Sequence, residues 1–146
     1  MRGSETQEGG REVTEQARIL LVDDDWDFVE ATRMLLESRY KVAVAYTGDE
    51  GLKKASKEKP DLIILDIIMP TKDGFMVCEE LKKDPQLSKI PVMLLTSLSS
   101  RMAETAVSMT QAMTTEAEDY LEKPASPEEL FQRVEKLLRK QSRTGR

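Results

Sequence analysis

The sequence predicts an α/β fold in which a five-stranded parallel sheet is covered by helices on both faces. Short apolar runs alternate with stretches of helical periodicity, and these runs lie near residues 19–22, 42–46, 62–65, 92–95 and 120–121. Alternating strands and helices are typical of βαβ units, whose right-handed crossovers place helices on the sheet faces. Three of the runs are followed directly by acidic or hydroxyl side chains, which is typical of the ligand-binding edge of such a sheet.

The chain has 146 residues, the usual size of one domain. Residues 1–17 are polar and contain several glycines, so we predict a disordered leader there. The alternating pattern begins at Arg18, and no internal repeat or linker interrupts it. We therefore predict one domain over residues 18–140, followed by a basic tail over 141–146.

The first two predicted helices show helical periodicity and capping signals. The first would turn one face toward the sheet, formed by Phe28, Ala31, Met34, Leu35 and Ser38. The sequence Thr47-Gly48-Asp49-Glu50 has the pattern of a capping box and predicts the start of the second helix. Its end is predicted before Pro60, in a lysine-rich stretch.

Three more helices are predicted along the rest of the chain. The third follows Gly74 and buries Phe75, Cys78 and Leu81. The fourth spans roughly 99–116, carries little charge and contains several methionines, which suits either an adaptable docking surface or packing on the sheet. Ser126 and Pro127 predict the start of the fifth, whose apolar side comprises Leu130, Phe131, Val134, Leu137 and Leu138.

Composition excludes several classes of function. The formal net charge of −5 argues against non-specific nucleic-acid binding, and no apolar stretch is long enough for a membrane span. Histidine is absent, so His-based triads and His-ligated zinc sites are excluded. The single cysteine, Cys78, cannot form an internal disulfide and is typical of a protein in the reducing cytoplasm.

Three apolar runs lead to polar side chains that a parallel sheet would gather at its carboxyl edge. These side chains are Asp23, Asp24 and Asp25, then Asp66, then Thr96 and Ser97. Unpaired buried carboxylates are costly, and several of them in one place would repel each other. Oxygen-rich clusters of this kind bind hard divalent cations, so we predict a Mg²⁺ site around Asp66. Helix capping by the first aspartates is the alternative, although Asp25 or Asp27 could cap alone.

Taken in order, these motifs resemble those of the response regulator receiver domains of two-component signalling. The resemblance covers residues 18–140 and rests on Val22-Asp23-Asp24, Asp66 followed by Met69-Pro70 and Asp73-Gly74, Thr96-Ser97, and Tyr120 before Lys123-Pro124. It implies a flavodoxin-like (βα)₅ fold with strand order 2-1-3-4-5. One departure stands out, because the region between Thr96 and Tyr120 is longer than usual and lacks the usual glycine-containing turn.

The resemblance implies a role for each of these residues. Asp66 would be the phosphoacceptor. Mg²⁺ would be bound by Asp24 directly, by Asp23 mainly through water, by Asp66 and by the backbone carbonyl of Ile68. Lys123 would pair with Asp66 and later with the phosphoryl oxygens. Its bond to Pro124 is commonly cis in such domains, which would aim Lys123 into the site, and the sequence alone leaves this open. Phosphoryl binding and switching would involve Thr96, Ser97 and Tyr120.

The side chains at Ile68 and Leu98 would flank the water that removes the phosphoryl group. Both are apolar, which implies slow dephosphorylation. The implied partners are a histidine kinase or histidine phosphotransfer protein upstream and a protein target downstream. That target would bind the face formed by the predicted fourth helix, fifth strand and fifth helix. A phosphorylation-dependent homodimer is also compatible with the resemblance, whereas membrane insertion and direct nucleic-acid binding are not expected.

The resemblance implies a signalling switch that catalyses only its own phosphorylation and slow dephosphorylation. Two other functions remain as alternatives. A haloacid-dehalogenase-like phosphatase also uses a strand-end aspartate with Mg²⁺, but it needs a second aspartate where this chain has Ile68. A phosphorylation-independent interaction module on the same fold would usually lack the acceptor, the acidic pair or the lysine, all of which are present here.

Overall fold

The computed structural model describes residues 16–69, 72–96 and 116–144, with the side chains of the last helix described through residue 140. Five parallel strands form one sheet in the order β2-β1-β3-β4-β5. The strands are β1 (Arg18–Val22), β2 (Lys41–Ala45), β3 (Leu62–Asp66), β4 (Val92–Thr96) and β5 (Asp119–Glu122). The predicted fold class and strand order are confirmed.

The described residues contain four helices, α1 (Trp26–Glu37), α2 (Gly48–Glu58), α3 (Gly74–Lys83) and α4 (Pro127–Thr144). The fourth predicted helix, over 99–116, lies almost wholly outside the described residues. Helix α4 extends to Thr144, into the stretch predicted as a basic tail. None of the described helices combines the length and apolar composition needed to cross a bilayer.

Two of the predicted helix starts are confirmed by side-chain capping bonds. The Thr47 hydroxyl accepts a hydrogen bond from the backbone N–H of Glu50, at 3.1 Å. The Glu50 carboxylate in turn accepts from the backbone N–H of Tyr46, one residue earlier than in a strict capping box. At the other end of the chain, the Ser126 hydroxyl accepts from the backbone N–H of Glu129.

The buried face of α1 differs from the predicted one. The residues that face the core are Val29, Thr32 and Leu36, whereas Met34 is 69% exposed and Leu35 is 37% exposed. Phe28 is half-buried as predicted, but the rest of the predicted face is wrong, because two helical stripes one residue apart in phase both contain apolar residues. Sequence periodicity alone does not decide between them. In the folded chain the stripe that contains Val29, Thr32 and Leu36 packs on the sheet.

The sheet separates two apolar layers. Helices α2 and α3 cover one face with the predicted residues Phe75, Cys78 and Leu81, and the Cys78 thiol is fully buried. Helices α1 and α4 cover the other face with Val29, Leu36 and the predicted apolar side of α4. Strand β3 lies at the centre, and all of its residues are buried. Asp66 ends this strand, so the fold itself places an aspartate in the interior.

An ion pair with a buried lysine fixes the start of β5 where the usual glycine-containing turn is missing. The Lys82 ammonium donates to the Glu118 carboxylate at 2.9 Å and to the carbonyl oxygens of Ser88 and Ile90. Glu118 also accepts from the backbone N–H of Val92 at 2.8 Å. Because the Lys82 side chain is only 7% exposed, this pair ties α3, β4 and β5 together at the edge opposite the acidic residues.

Candidate functional site

The turn after β1 separates the three consecutive aspartates by role. Asp25 is the N-cap of α1, and its carboxylate accepts from the backbone N–H of Phe28 at 3.1 Å. Asp23 is fully buried, and its backbone N–H donates to the carbonyl of Ala45 at 3.0 Å. Asp24 is exposed. Because the Asp25 side chain caps α1, the carboxylates of Asp23 and Asp24 are not needed as its N-cap.

The loop after β3 holds the backbone of Asp66 against the start of α3. The Asp66 side chain is 5% exposed. The backbone N–H of Gly74 donates to the carbonyl of Ile67 at 2.8 Å, and Asp73 caps α3 by accepting from Met76. A Cβ atom at Gly74 would lie 2.2 Å from the Asp66 carbonyl oxygen, so only glycine allows this approach.

Asp23, Asp24 and Asp66 converge at the carboxyl edge, as the sequence predicts. Each offers a carboxylate oxygen, and these oxygens lie within 4.8 Å of one another. Three anionic oxygen donors in so small a space match the preference of Mg²⁺ for hard oxygen ligands, and thiol or imidazole ligands are absent from this cluster. The residues present therefore fit a divalent cation of this class.

The electrostatics of the cluster follow from burial and mutual repulsion. Burial, followed by the neighbouring charge of Asp23, raises the pKa of Asp66 to about 7. Ile68 and Lys123 act in the opposite direction, the first by donating its backbone N–H to the carboxylate. Burial also raises the pKa of Asp23, against hydrogen bonds from the Asp25 backbone and Lys123. A cation bound among these groups would relieve this repulsion.

The Lys123 ammonium lies in the site but pairs with a different aspartate from the one predicted. Its Nζ is 3.0 Å from Asp23 Oδ2, and its side chain is 15% exposed. The predicted pairing with Asp66 is wrong for this structure, because the wholly buried Asp23 carboxylate takes the ammonium as its partner. The same ammonium lies 4.3 Å from the centroid of the Phe28 ring. The peptide bond between Lys123 and Pro124 is cis, as the resemblance implies.

The remaining predicted site residues are only partly described. Thr96 ends β4, and its carbonyl accepts from the Lys123 backbone N–H at 2.7 Å, so both residues reach the site edge. Tyr120 is half-buried and packs against the layer that contains Cys78, and burial raises the pKa of its phenol. Ile68 is half-buried beside Asp66. Ser97 and Leu98 lie outside the described residues.

Two aromatic contacts near the site were not predicted from the sequence. The rings of Trp26 and Tyr46 stack at a centroid distance of 5.0 Å with an interplanar angle of 7°. Trp26 is nevertheless 64% exposed. The other contact is the Phe28 ring beneath Lys123. Neither could be read from spacing, because each joins residues on separate elements that only the sheet brings together.

Trp26 gives a direct measure of cation binding, because it is the only tryptophan and lies two residues after Asp24. We expect its fluorescence to change on titration with Mg²⁺. Asp24→Ala should weaken the apparent affinity at least about tenfold, since it removes a charged ligand. Asp27→Ala, which removes an exposed charge in the first turn of α1, is the matched control and should change the affinity little. A flat titration of the wild type at saturating Mg²⁺ would contradict this placement of the site.

Comparison with known proteins agrees with the geometry. The chain matches the response regulator receiver domain over residues 19–135. It is 41% identical to the response regulator PleD of Caulobacter vibrioides over 128 residues, which are 84% of this chain and 26% of PleD. It is 39% identical to the alkaline phosphatase synthesis transcriptional regulatory protein PhoP of Bacillus subtilis over 124 residues, which are 84% of this chain and 49% of PhoP. The chain thus spans about half or less of the length of these curated relatives.

Solved structures show the same similarity. A putative response regulator from Chloroflexus aurantiacus superposes with a TM-score of 0.75 at 31% identity, covering 85% of this chain and 98% of that one. The signal receiver domain of a signal transduction histidine kinase from Syntrophus aciditrophicus gives a TM-score of 0.74 at 34% identity, covering 84% of this chain and 89% of that one. The similarity therefore extends over most of both molecules.

Proposed function

The chain belongs to the family of response regulator receiver domains, and from that membership we propose that it is a phosphoacceptor switch controlled by phosphorylation of Asp66. The observation that carries this proposal is the convergence of three carboxylates at one sheet edge, with Lys123 beside them. Asp66 ends the buried central strand, where its carboxylate is held by the backbone of Ile68. We propose a histidine kinase or histidine phosphotransfer protein as the phosphoryl donor, because this chain contains no histidine of its own.

In the proposed reaction a carboxylate oxygen of Asp66 attacks the phosphorus of a partner's phosphohistidine. The new O–P bond forms as the N–P bond breaks, and the electron pair of that bond returns to the imidazole nitrogen, which takes up a proton. The buried edge excludes water from the nucleophile. Lys123 supplies a positive charge that can move from Asp23 to the transferred group, and Thr96 supplies a hydroxyl donor.

The side chains of Asp23, Asp24 and Asp66, with the Ile68 carbonyl, would hold Mg²⁺. The bound cation supplies charge neutralisation for the phosphoryl oxygens. The chain's own contribution is to keep these oxygens in place before the donor arrives. Asp23 is held by the Asp25 backbone N–H at 2.9 Å and by Lys123, and Asp66 is held by the packing of Gly74.

We propose further that the chain performs only its own phosphorylation and slow dephosphorylation, and that it acts in the cytoplasm, where Cys78 stays reduced. Output would pass to a protein target through the face that includes β5, and phosphorylation-dependent homodimerisation is one form this output could take. Tyr120 supports this proposal, because it lies half-buried on β5, within that face.

Incubation of the full chain with Mg²⁺ and acetyl phosphate, followed by intact-mass measurement, tests the proposal. A retained phosphoryl adduct is the expected result. Release of phosphate with repeated turnover and no adduct would indicate a phosphatase instead. Absence of both would indicate an interaction module that works without phosphorylation. Peptide mapping of the adduct should locate it on Asp66.

The lifetime of the adduct is expected to be long. Ile68 is half-buried and apolar, and neither Ile68 nor Leu98 can orient an attacking water by hydrogen bonding. A single lost positioning interaction of ~1.4 kcal/mol slows a step about tenfold, so Ile68→Asn and Leu98→Glu should each accelerate hydrolysis by about that factor. Met76→Asn, on an exposed position of α3, is the control for a polar substitution. The argument fails if purified wild-type phosphoprotein decays as fast as the two variants.

A further inference from the structure

The Phe28 ring and the Lys123 ammonium form a contact across two elements at the edge of the site. We propose that Phe28 is a positioning residue that holds Lys123 beside Asp23 and thereby sets how readily the ammonium reaches a phosphoryl group on Asp66. This inference rests on the proposed function and concerns the regulation of that same site. It assigns a role to a residue that lies outside the carboxylate cluster.

The position of the ring is fixed by the fold. Phe28 lies in the first turn of α1, and its backbone N–H donates to the capping carboxylate of Asp25 at 3.1 Å. Its side chain is half-buried and packs against the apolar layer between α1, α4 and the sheet. The ring therefore contacts the apolar layer, and Lys123 Nζ lies 4.3 Å from its centroid. The lysine enters from the segment after β5, so the contact bridges two separate parts of the chain.

The ammonium has two partners, a carboxylate and the face of an aromatic ring. One is Asp23 Oδ2 at 3.0 Å, and the other is the face of the Phe28 ring. Within the described residues no ion pair joins Lys123 to Asp66. The electron-rich face of an aromatic ring attracts a cation more strongly when both are shielded from water, and the Lys123 side chain is only 15% exposed. We infer that movement of the ammonium away from the ring, toward a phosphoryl group on Asp66, weakens this attraction.

The consequence is a restraint that opposes phosphoryl binding. Weakening the attraction of the ring, with its size and packing nearly kept, should release Lys123 and favour the state in which the ammonium contacts the phosphoryl oxygens. A cation–π contact in a partly shielded site corresponds to a change of about threefold in an equilibrium constant. A ring that served only as apolar packing would give no such dependence on its electronic character.

The chain contains a matched control for this contact. The Phe131 ring on α4 also faces a cation, because the Arg39 guanidinium carbon lies 4.1 Å from its centroid. Arg39 follows the C-terminal end of α1 and pairs with Glu135 of α4. It takes no part in the acidic cluster. The same substitution at Phe131 therefore perturbs a cation–π pair without touching Lys123.

The experiment replaces Phe28 in the full chain with mono-, di- and trifluorophenylalanine by site-specific incorporation, and does the same at Phe131. The apparent dissociation constant for beryllium fluoride, a phosphoryl mimic, is measured at saturating Mg²⁺. We expect it to fall stepwise with fluorination at Phe28, by about threefold at the trifluoro stage, and to stay constant at Phe131. In parallel, the NMR signals of the Lys123 ε-methylene should show the upfield ring-current shift of a group above a ring, and should lose it on addition of beryllium fluoride.

The outcomes separate this inference from the proposed function. If wild-type protein binds beryllium fluoride but the constant shows no stepwise change at Phe28, or the Lys123 signals carry no ring-current shift, the positioning role of Phe28 is overturned and the proposed function stands. If wild-type protein neither binds the mimic nor accepts phosphate from acetyl phosphate, the proposed function is overturned, and the inference falls with it.

Discussion

Replacement of Asp66 by asparagine is expected to abolish the phosphoryl adduct and leave the fold intact. The amide has nearly the shape of the carboxylate, so the packing at the end of β3 is preserved, but it has no anionic oxygen with which to attack phosphorus. Acetyl phosphate with Mg²⁺ should therefore give no mass increase in Asp66→Asn. The matched control is Asp27→Asn, which removes one negative charge at an exposed position in the first turn of α1 and should still form the adduct.

The same substitution should stabilise the metal-free protein at alkaline pH. The pKa of Asp66 is raised to about 7 in the folded chain, above the value of roughly 4 expected for an unfolded carboxyl. The folded state thus holds this proton more tightly, and its contribution to stability is full at low pH and is lost as pH rises through 7. Asp66→Asn removes that loss, together with the repulsion from Asp23, and should raise the free energy of unfolding by about 2 kcal/mol at pH 8.

Urea denaturation at pH 5 and pH 8 with a chelator present measures this effect. Wild type should lose stability between the two values and Asp66→Asn should lose less. Mg²⁺ should reverse the order at pH 8, because it stabilises only a site that retains all its carboxylates. An adduct of undiminished yield in Asp66→Asn would refute the assignment of the phosphoacceptor, whatever the stability result.

The parallel sheet could be predicted from sequence because its signals are local and repeated. Each strand is a short apolar run, and caps such as Thr47 and Ser126 lie next to the helices they start. The carboxyl ends of parallel strands lie at one edge of the sheet, and β1 and β3 are neighbours. The proximity of Asp23 and Asp66 therefore follows without knowledge of any side-chain contact. This rule places all three aspartates of the first turn near Asp66, and the resemblance to receiver domains singles out Asp23 and Asp24 among them.

Other features depend on choices that local sequence does not determine. The phase of α1 is set by which apolar stripe packs better on the sheet, so Val29 and Leu36 are buried and Met34 is exposed. Asp23 and Asp66 are both buried, and only the packed structure shows that the Lys123 ammonium lies against Asp23. Phe28 was predicted to face the sheet, as it does, but its contact with Lys123 was missed because it joins α1 to the segment after β5.

Replacement of Gly74 by alanine is expected to lower the free energy of unfolding more than the same replacement at Gly48 or Gly51. Its Cβ would lie 2.2 Å from the Asp66 carbonyl oxygen and 2.8 Å from Ile67 Cα, and both of these atoms belong to the backbone. A flexible side chain could turn away, but the end of the central strand cannot do so without breaking its pairing with β4. We expect a loss of about 3 kcal/mol in the free energy of unfolding.

Gly51→Ala is the matched control for this prediction. Its Cβ would meet only the Val22 side chain, at 3.0 and 3.1 Å, and alanine is favoured over glycine inside α2 by about 1 kcal/mol. The two effects should nearly offset each other, so the free energy of unfolding of Gly51→Ala should lie within about 1 kcal/mol of that of wild type.

Gly74→Ala should in addition weaken Mg²⁺ binding in the Trp26 fluorescence titration, because relief of the clash must displace the Asp66 and Ile68 oxygens that we propose as ligands. Equal stability of the two variants in urea denaturation would show that the loop after β3 yields to the added methyl, and that close packing of Gly74 does not hold the acceptor in place.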